Sequence, residues 1–257
     1  MKGLARPAPS GTANLWSRSS FLQVKSDGTL WTWIWNGSAY APSLVMSGWG
    51  STTHVAGLRE NDFLEIKGGN LREWIYDTSQ GWGYFDVESG WNNTRLLTGQ
   101  SGEHFMQIRT DGTLWTWTFV DPGDGNWYYS PKFEMGGWGQ SKVIAGLVDG
   151  HFLEIKGEEL VDWKDAGDGT GYQRTHLDWG WSNARLIAGV SATRFVTVRT
   201  APCGITSTTG TSGRAPRLTP DGATPACSVR NRLAWPGSGT PARTPAARSG
   251  RQRRRPW

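Results

Sequence analysis

The ionisable side chains of this sequence recur more than they stand alone, and that limits the chemistry they could do. Glu65 and Glu154 hold the same place in two copies of Phe-Leu-Glu-Ile-Lys-Gly, at 63–68 and 152–157. Glycoside hydrolysis needs a pair of carboxylates with different roles. A repeated acid that alternates with apolar neighbours is expected instead on the solvent-facing or channel-facing side of a strand. His54, His104, His151 and His176 show no metal-ligand spacing, and no Gly-x-Ser-x-Gly, phosphate loop or His-Glu-x-x-His is present. Asp121-Pro122-Gly123-Asp124-Gly125 and Asp165-Ala166-Gly167-Asp168-Gly169 lack the spaced carboxylates of an oxygen-rich calcium cage, so they read as tight turns. No enzyme, metal or cofactor is expected. What remains is a set of aromatic residues beside polar ones: Trp35, Asn36 and Tyr40; Asp77, Trp82 and Tyr84; Asp124, Asn126, Trp127 and Tyr128; Asp168 and Tyr172. Trp82, Trp127 and Tyr172 vary in position from unit to unit, so the repeat does not dictate their burial. They are candidates for contact with a ligand.

The elements that would carry these residues form a repeat. Phe21, Phe63, Phe105, Phe152 and Phe195 each open a strand of period two, at spacings of 42, 42, 47 and 43. A turn follows, Asp27-Gly28 or Asp111-Gly112 in two units and Gly68-Gly69 or Gly157-Glu158 in the others. The return strand carries Leu30, Leu71, Leu114 or Leu160, with Trp33, Trp74, Trp117 or Trp163 three residues later. Trp49, Trp91, Trp138 and Trp181 each stand 14 residues before the next strand-opening Phe, and an apolar strand ending in Gly57, Gly99, Gly146 or Gly189 lies between. Four short antiparallel strands recurring in this way predict an all-β fold, a β-propeller of four-stranded blades that complete one another's cores. A β-sandwich of two unrelated domains would leave the period unexplained. Units one and three share Asp-Gly-Thr-Leu-Trp-Thr-Trp, whereas units two and four share the Glu-bearing strand, so the blades alternate in pairs. The predicted blades span about 8–48, 49–90, 91–137 and 138–180, with a partial fifth at 181–200 and an incomplete ring. Its unpaired edges predict marginal stability and self-association.

Composition agrees: 17 Trp and 35 Gly among 257 residues suit short strands and turns. The net charge of +5 is unevenly held, with 17 basic against 21 acidic residues in 1–200 and 10 Arg against one Asp in 201–257. The folded part therefore carries no electrostatic case for binding nucleic acid. Both cysteines, Cys203 and Cys227, lie in the tail, so disulfides play no part in the repeats. No run of apolar residues is long enough for a membrane span, and the first residues lack the apolar core of an export signal; a start further upstream would make the protein secreted. After Thr200 the repeat predicts Asp-Gly-Thr-Leu-Trp, but the chain reads Ala201-Pro202-Cys203-Gly204. The codons of that run, read one base out of register, can spell Gly-Thr-Leu-Trp. Residues 201–257 are thus read as a disordered, basic, out-of-frame tail, the competing reading being a genuine basic arm.

The connectors Gly48-Trp49-Gly50, Gly90-Trp91-Asn92, Gly136-Gly137-Trp138-Gly139 and Gly180-Trp181-Ser182, with the Asp-Gly turns, make residues 12–200 similar to the tachylectin-like β-propeller lectins. The Asp-Gly-x-Leu-Trp element also resembles the chromosome-condensation-regulator-like repeats. The even blades depart by lacking Asp-Gly. The first resemblance implies five blades, whereas the pairwise alternation suits six. It also implies a carbohydrate-binding propeller with one shallow site per blade for N-acetylated or neutral sugars. Such sites would use Trp49, Trp91, Trp138 and Trp181 together with Trp82, Tyr84, Asn126, Trp127, Tyr128 and Tyr172. Aromatic faces would take sugar C–H groups while polar side chains fix the hydroxyls, and repetition would supply avidity. The alternatives are a protein-binding scaffold propeller and an accessory domain of a larger secreted enzyme.

Overall fold

The alternating segments form antiparallel strands throughout the computed structural model, which describes residues 20–59 and 61–199 and the backbone of 228–230. The first sheet holds β1 (Ser20–Val24), β2 (Thr29–Trp35) and β3 (Tyr40–Ser47). The second holds β4 (Thr52–Arg59), β5 (Asp62–Lys67), β6 (Asn70–Asp77) and β7 (Gly81–Ser89). The third holds β8 (Thr94–Gly99), β9 (His104–Arg109), β10 (Leu114–Val120) and β11 (Tyr128–Met135), and one turn of 3-10 helix, Trp91–Asn93, leads into it. The fourth holds β12 (Ser141–Val148), β13 (His151–Lys156), β14 (Glu159–Asp165) and β15 (Tyr172–Asp178). The fifth holds β16 (Ala184–Ser191), β17 (Arg194–Arg199) and β18 (Ser228–Arg230).

Each strand pairs with its sequence neighbour, so every sheet is a meander and the fold is a β-propeller. The Gly-ended strands β4, β8, β12 and β16 are innermost in their blades and follow one another around a central cavity. β1 lies against both β4 and β16 and takes the fifth place. Among the described residues the first blade has no innermost strand, and the fifth has only β18 outside β17. The expected inner portion of the first blade, residues 8–19, and the tail apart from β18 lie outside the described residues.

Within a blade the register places the strand-opening Phe opposite the return-strand Trp: Phe21 and Trp33, Phe63 and Trp74, Phe105 and Trp117, Phe152 and Trp163. Their rings stack at 5.9, 6.1, 5.9 and 6.3 Å. The return-strand Leu is fully or almost fully buried in each blade, and a bulge follows it on pairing with the outer strand, between Leu30 and Trp31 and at the three equivalent places. A repeated bulge adds twist at the same point of every blade, which lets the sheets nest side by side. The core is thus a ring of equivalent aromatic and aliphatic clusters shared between neighbouring blades.

Candidate functional site

The acids singled out from the sequence turn inward, correcting their expected solvent-facing or channel-facing position. Glu65 and Glu154 are 1% and 2% exposed. Glu65 Oε2 accepts a bond from the Trp74 indole at 2.9 Å, and Oε1 accepts one from the Thr52 hydroxyl. Glu154 repeats this with Trp163 at 2.9 Å and Ser141 at 2.5 Å. In the third blade Gln107 does the same work, accepting from Trp117 at 3.3 Å and donating to Thr94 at 2.6 Å. A buried polar group must find partners, and here one side chain links inner strand, second strand and third strand. These acids belong to the blade's internal bonding.

The connector indoles are equally internal. Trp49, Trp91, Trp138 and Trp181 are 2%, 4%, 3% and 0% exposed. Each backbone N–H donates at 2.9 Å to the hairpin turn of the preceding blade, at Gly28, Gly69, Gly112 and Glu158. Each ring packs into the following blade, with centroids 5.6, 5.9, 5.5 and 5.8 Å from Phe63, Phe105, Phe152 and Phe195. The fixed interval of 14 residues is therefore the reach from one blade's turn to the next blade's core, and no broad ring face is left for a sugar. Trp82 and Tyr172 also serve the blade interior, each 5.1 Å from its Phe, in the place that Tyr40 and Tyr129 fill elsewhere. Trp127 is half-buried between Phe119 and Phe85 of the neighbouring blade. Asn126, Tyr84 and Tyr128 remain exposed, Tyr84 lying over Trp74 beside the Arg72 guanidinium.

One exposed arrangement was not recognised in the sequence. In the third blade Arg109 lies 4.0 Å from the Trp115 ring, and Phe133 meets the same indole edge-on at 5.5 Å while staying 52% exposed. In the first blade Lys25 lies 3.7 Å from Trp31, which pairs across the strands with Leu44, 54% exposed. A cation over an indole, flanked by an exposed apolar side chain, thus recurs on alternate blades. The turn holds it in place. Asp111 accepts from the Thr113 amide and hydroxyl at 2.9 and 2.6 Å, Thr113 accepts from Trp115 Nε1 at 2.8 Å, and Asp27, Thr29 and Trp31 repeat the pattern. The bond from the Thr113 side chain, then that from its backbone, holds the Asp111 carboxyl below its ordinary value; Thr29 does the same for Asp27. Gly112, at φ 79°, completes the turn where a Cβ would come 2.9 Å from the Gly139 nitrogen. On the even blades the Trp31 and Trp115 positions are Arg72 and Val161, and Arg72 instead binds Asp86 at 2.9 Å. The signal in the sequence was the shared Asp-Gly-Thr-Leu-Trp, whose Trp is only half-buried.

A separate polar cluster lies on the fourth blade. Trp179, 64% exposed, lies tilted against His176, with ring centroids 4.8 Å apart. Glu159 binds Arg174 and, at 2.8 Å, His176. Partial burial works against ionisation of Glu159, but these two donors outweigh it and hold its carboxyl below the ordinary value. No group of three or more His, Cys, Asp or Glu side chains among the described residues could hold a metal ion. No helix of the described residues is long and apolar enough to cross a membrane.

No family profile matches the chain, and no curated protein is significantly similar to it. Among solved structures it is similar to a protein described for the de novo evolutionary emergence of a symmetrical protein. That likeness has a TM-score of 0.52 and 16% identity, covering 69% of this chain and 82% of the other. It is also similar to Prp20p from Saccharomyces cerevisiae, described with its binding to Gsp1p and histones, at TM-score 0.40 and 13% identity over 71% of this chain and 54% of the other. The WD40 β-propeller domain of Doa1 follows at TM-score 0.33 and 16% identity, over 70% and 58%. At these identities the likeness concerns fold alone. The chain is a β-propeller, and the tachylectin-like resemblance rests on the Gly/Trp connectors.

Proposed function

We propose that this propeller is a non-catalytic scaffold that binds a protein partner through the cation–indole ladders of its odd blades. The observation that carries the reading is the pairing of Arg109, Trp115 and exposed Phe133 with its counterpart of Lys25, Trp31 and exposed Leu44. Aromatic and apolar anchors beside a basic group are the usual makings of a protein-binding hot spot, and a partner with acidic and apolar side chains would complement them. The repeated acids support the non-catalytic part, because both oxygens of Glu65 and Glu154 are spent on bonds inside the blades. Affinity purification from the source organism tests this. The expected result is a stoichiometric protein partner that free sugars do not displace and that the double variant Leu44→Asp, Phe133→Asp no longer retains. Retention by that variant, or elution by a simple sugar, overturns it.

Carbohydrate binding is a second reading, favoured by Trp179, whose open ring lies against His176, itself bonded to Glu159. A glycan array compared between the protein and Trp179→Ala tests that reading. Binding to N-acetylated or neutral sugars that the variant loses would support it, and a blank array would remove it.

A further inference from the structure

Repetition within the chain lets equivalent positions be compared across blades, and one of them keeps its charge in all five. Four residues after each strand-opening Phe stand Lys25, Lys67, Arg109, Lys156 and Arg199. The register sets Lys67, Arg109, Lys156 and Arg199 opposite Thr52, Thr94, Ser141 and Ala184, the first residues of the innermost strands. These cations therefore surround the propeller axis at the end where the connectors cross between blades. Arg95, Lys142 and Arg185, each second in its innermost strand, add to the same end.

Local bonding does not account for the shared charge. Lys25 lies over Trp31, Lys67 donates to the Gly48 carbonyl at 3.1 Å, Arg109 donates to Gln107 at 3.2 Å, and Arg199 lies 4.1 Å from the Trp181 ring. Lys156 is exposed and has no partner among the described residues. The partner changes from blade to blade while the positive charge is kept. The acids of this end lie farther from the axis, Asp27, Asp111 and Glu158 in the hairpin turns, Glu159 just after one, and Glu88 and Asp178 at the ends of outer strands. At the opposite end acids outnumber bases. Glu103 and Asp149 lie in the loops that follow innermost strands, and Asp77, Asp121, Asp124 and Asp168 lie about the loops that precede outer ones. The molecule is thus electrically polar along its axis, and such a field steers and orients a charged partner.

We propose that the connector end is the docking face for the protein partner inferred above, and that it receives an acidic segment of that partner across the ring of cations. The inference rests on the protein-binding reading and names the chemistry of what is bound. Two observations favour a protein over a nucleic acid. Lys25 and Arg109 belong both to the ring and to the ladders, whose exposed Leu44 and Phe133 call for apolar side chains in the partner. The turn acids just outside the ring would repel a continuous phosphate backbone, whereas a peptide can space its carboxylates to meet the cations alone.

The test uses the full chain, a labelled oligoglutamate peptide and an oligothymidylate of equal charge, with binding followed by fluorescence anisotropy. The peptide is expected to bind saturably, and the double variant Lys67→Glu, Lys156→Glu to weaken it by about tenfold or more. Lys156→Glu alone breaks no bond within the protein, so its loss, expected to be about threefold, reads charge rather than folding. The control pair Lys132→Glu, Lys164→Glu makes the same change of charge outside the ring and should cost less than about twofold. Leu44→Ala with Phe133→Ala should leave this peptide bound, because it offers no apolar side chain; failure of the ladders and failure of the ring are thereby read separately. No saturable binding, equal losses in the ring and control pairs, or tighter binding of the oligothymidylate overturns the proposal.

Discussion

A buried indole N–H needs an acceptor and a buried hydroxyl a partner, and in three blades one side chain two residues after the Phe bonds both, Glu65 and Glu154 by accepting from each and Gln107 by accepting from the indole and donating to the hydroxyl. The neutral amide of Gln107 therefore holds the same two partners as the carboxylates, with the bond to the hydroxyl reversed. Glu154→Gln should therefore cost less than about 1 kcal/mol, while Glu154→Leu, which strands the Ser141 and Trp163 donors, should cost about 2–4 kcal/mol. Denaturant midpoints of the two variants check this, and equal losses would show that the bonds matter less than the volume. The same burial explains why repetition of an acid was a poor sign of catalysis.

At the level of the strand, close approach of backbones sets which glycines are replaceable. Gly146 has the Gly99 carbonyl where a methyl group would go, whereas the nearest described atom to a Cβ on Gly57 is Leu22 Cδ1, at 4.0 Å. Gly146→Ala must push β12 away from β8, and a loss above about 3 kcal/mol is expected, in the range reached when a packed backbone has to shift. Gly57→Ala should stay within about 1 kcal/mol. Thermal melts of the two proteins decide it, and a comparable drop in both would show that backbone approach does not set the cost. Side-chain ties reinforce these junctions: Arg95 on β8 donates to the carbonyls of Ser141, at 2.6 Å, and Trp138, so one guanidinium spans a blade boundary.

For the molecule as a whole, acid is the destabilising direction. Burial pushes the His54 imidazole below its ordinary value of 6.5, against the opposing bond to the Arg95 carbonyl. The unfolded chain then binds the proton more readily, so stability falls as the pH drops below that value. The turn carboxylates Asp27, Asp77, Asp111 and Asp168 are depressed below 3.8, each first by a neighbouring hydroxyl. Asp124 is depressed too, chiefly by the backbone of Asn126. Their contribution is present above 3.8 and is lost as the pH falls through the folded-state values. Tm measured from neutral pH to pH 2.5 should fall in two stages. His54→Gln should remove the upper stage and Asp111→Asn should reduce the lower one. A Tm independent of pH down to 4 would contradict the upper assignment.

The sequence alone determined the strand order, the blade period and the placement of core residues, because alternation and a fixed interval between Trp49 and Phe63 are local consequences of chain geometry. Which face of a side chain meets water was decided only by tertiary packing. Trp49, between two glycines, is sealed between blades, whereas Trp115, between Leu114 and Thr116, is half-buried with Arg109 over its ring. Glu65 alternates as a surface residue would, but it is buried and bonded to Thr52 and Trp74. Periodicity assigns a residue to one side of a sheet, and only the stacking of sheets decides whether that side is solvent.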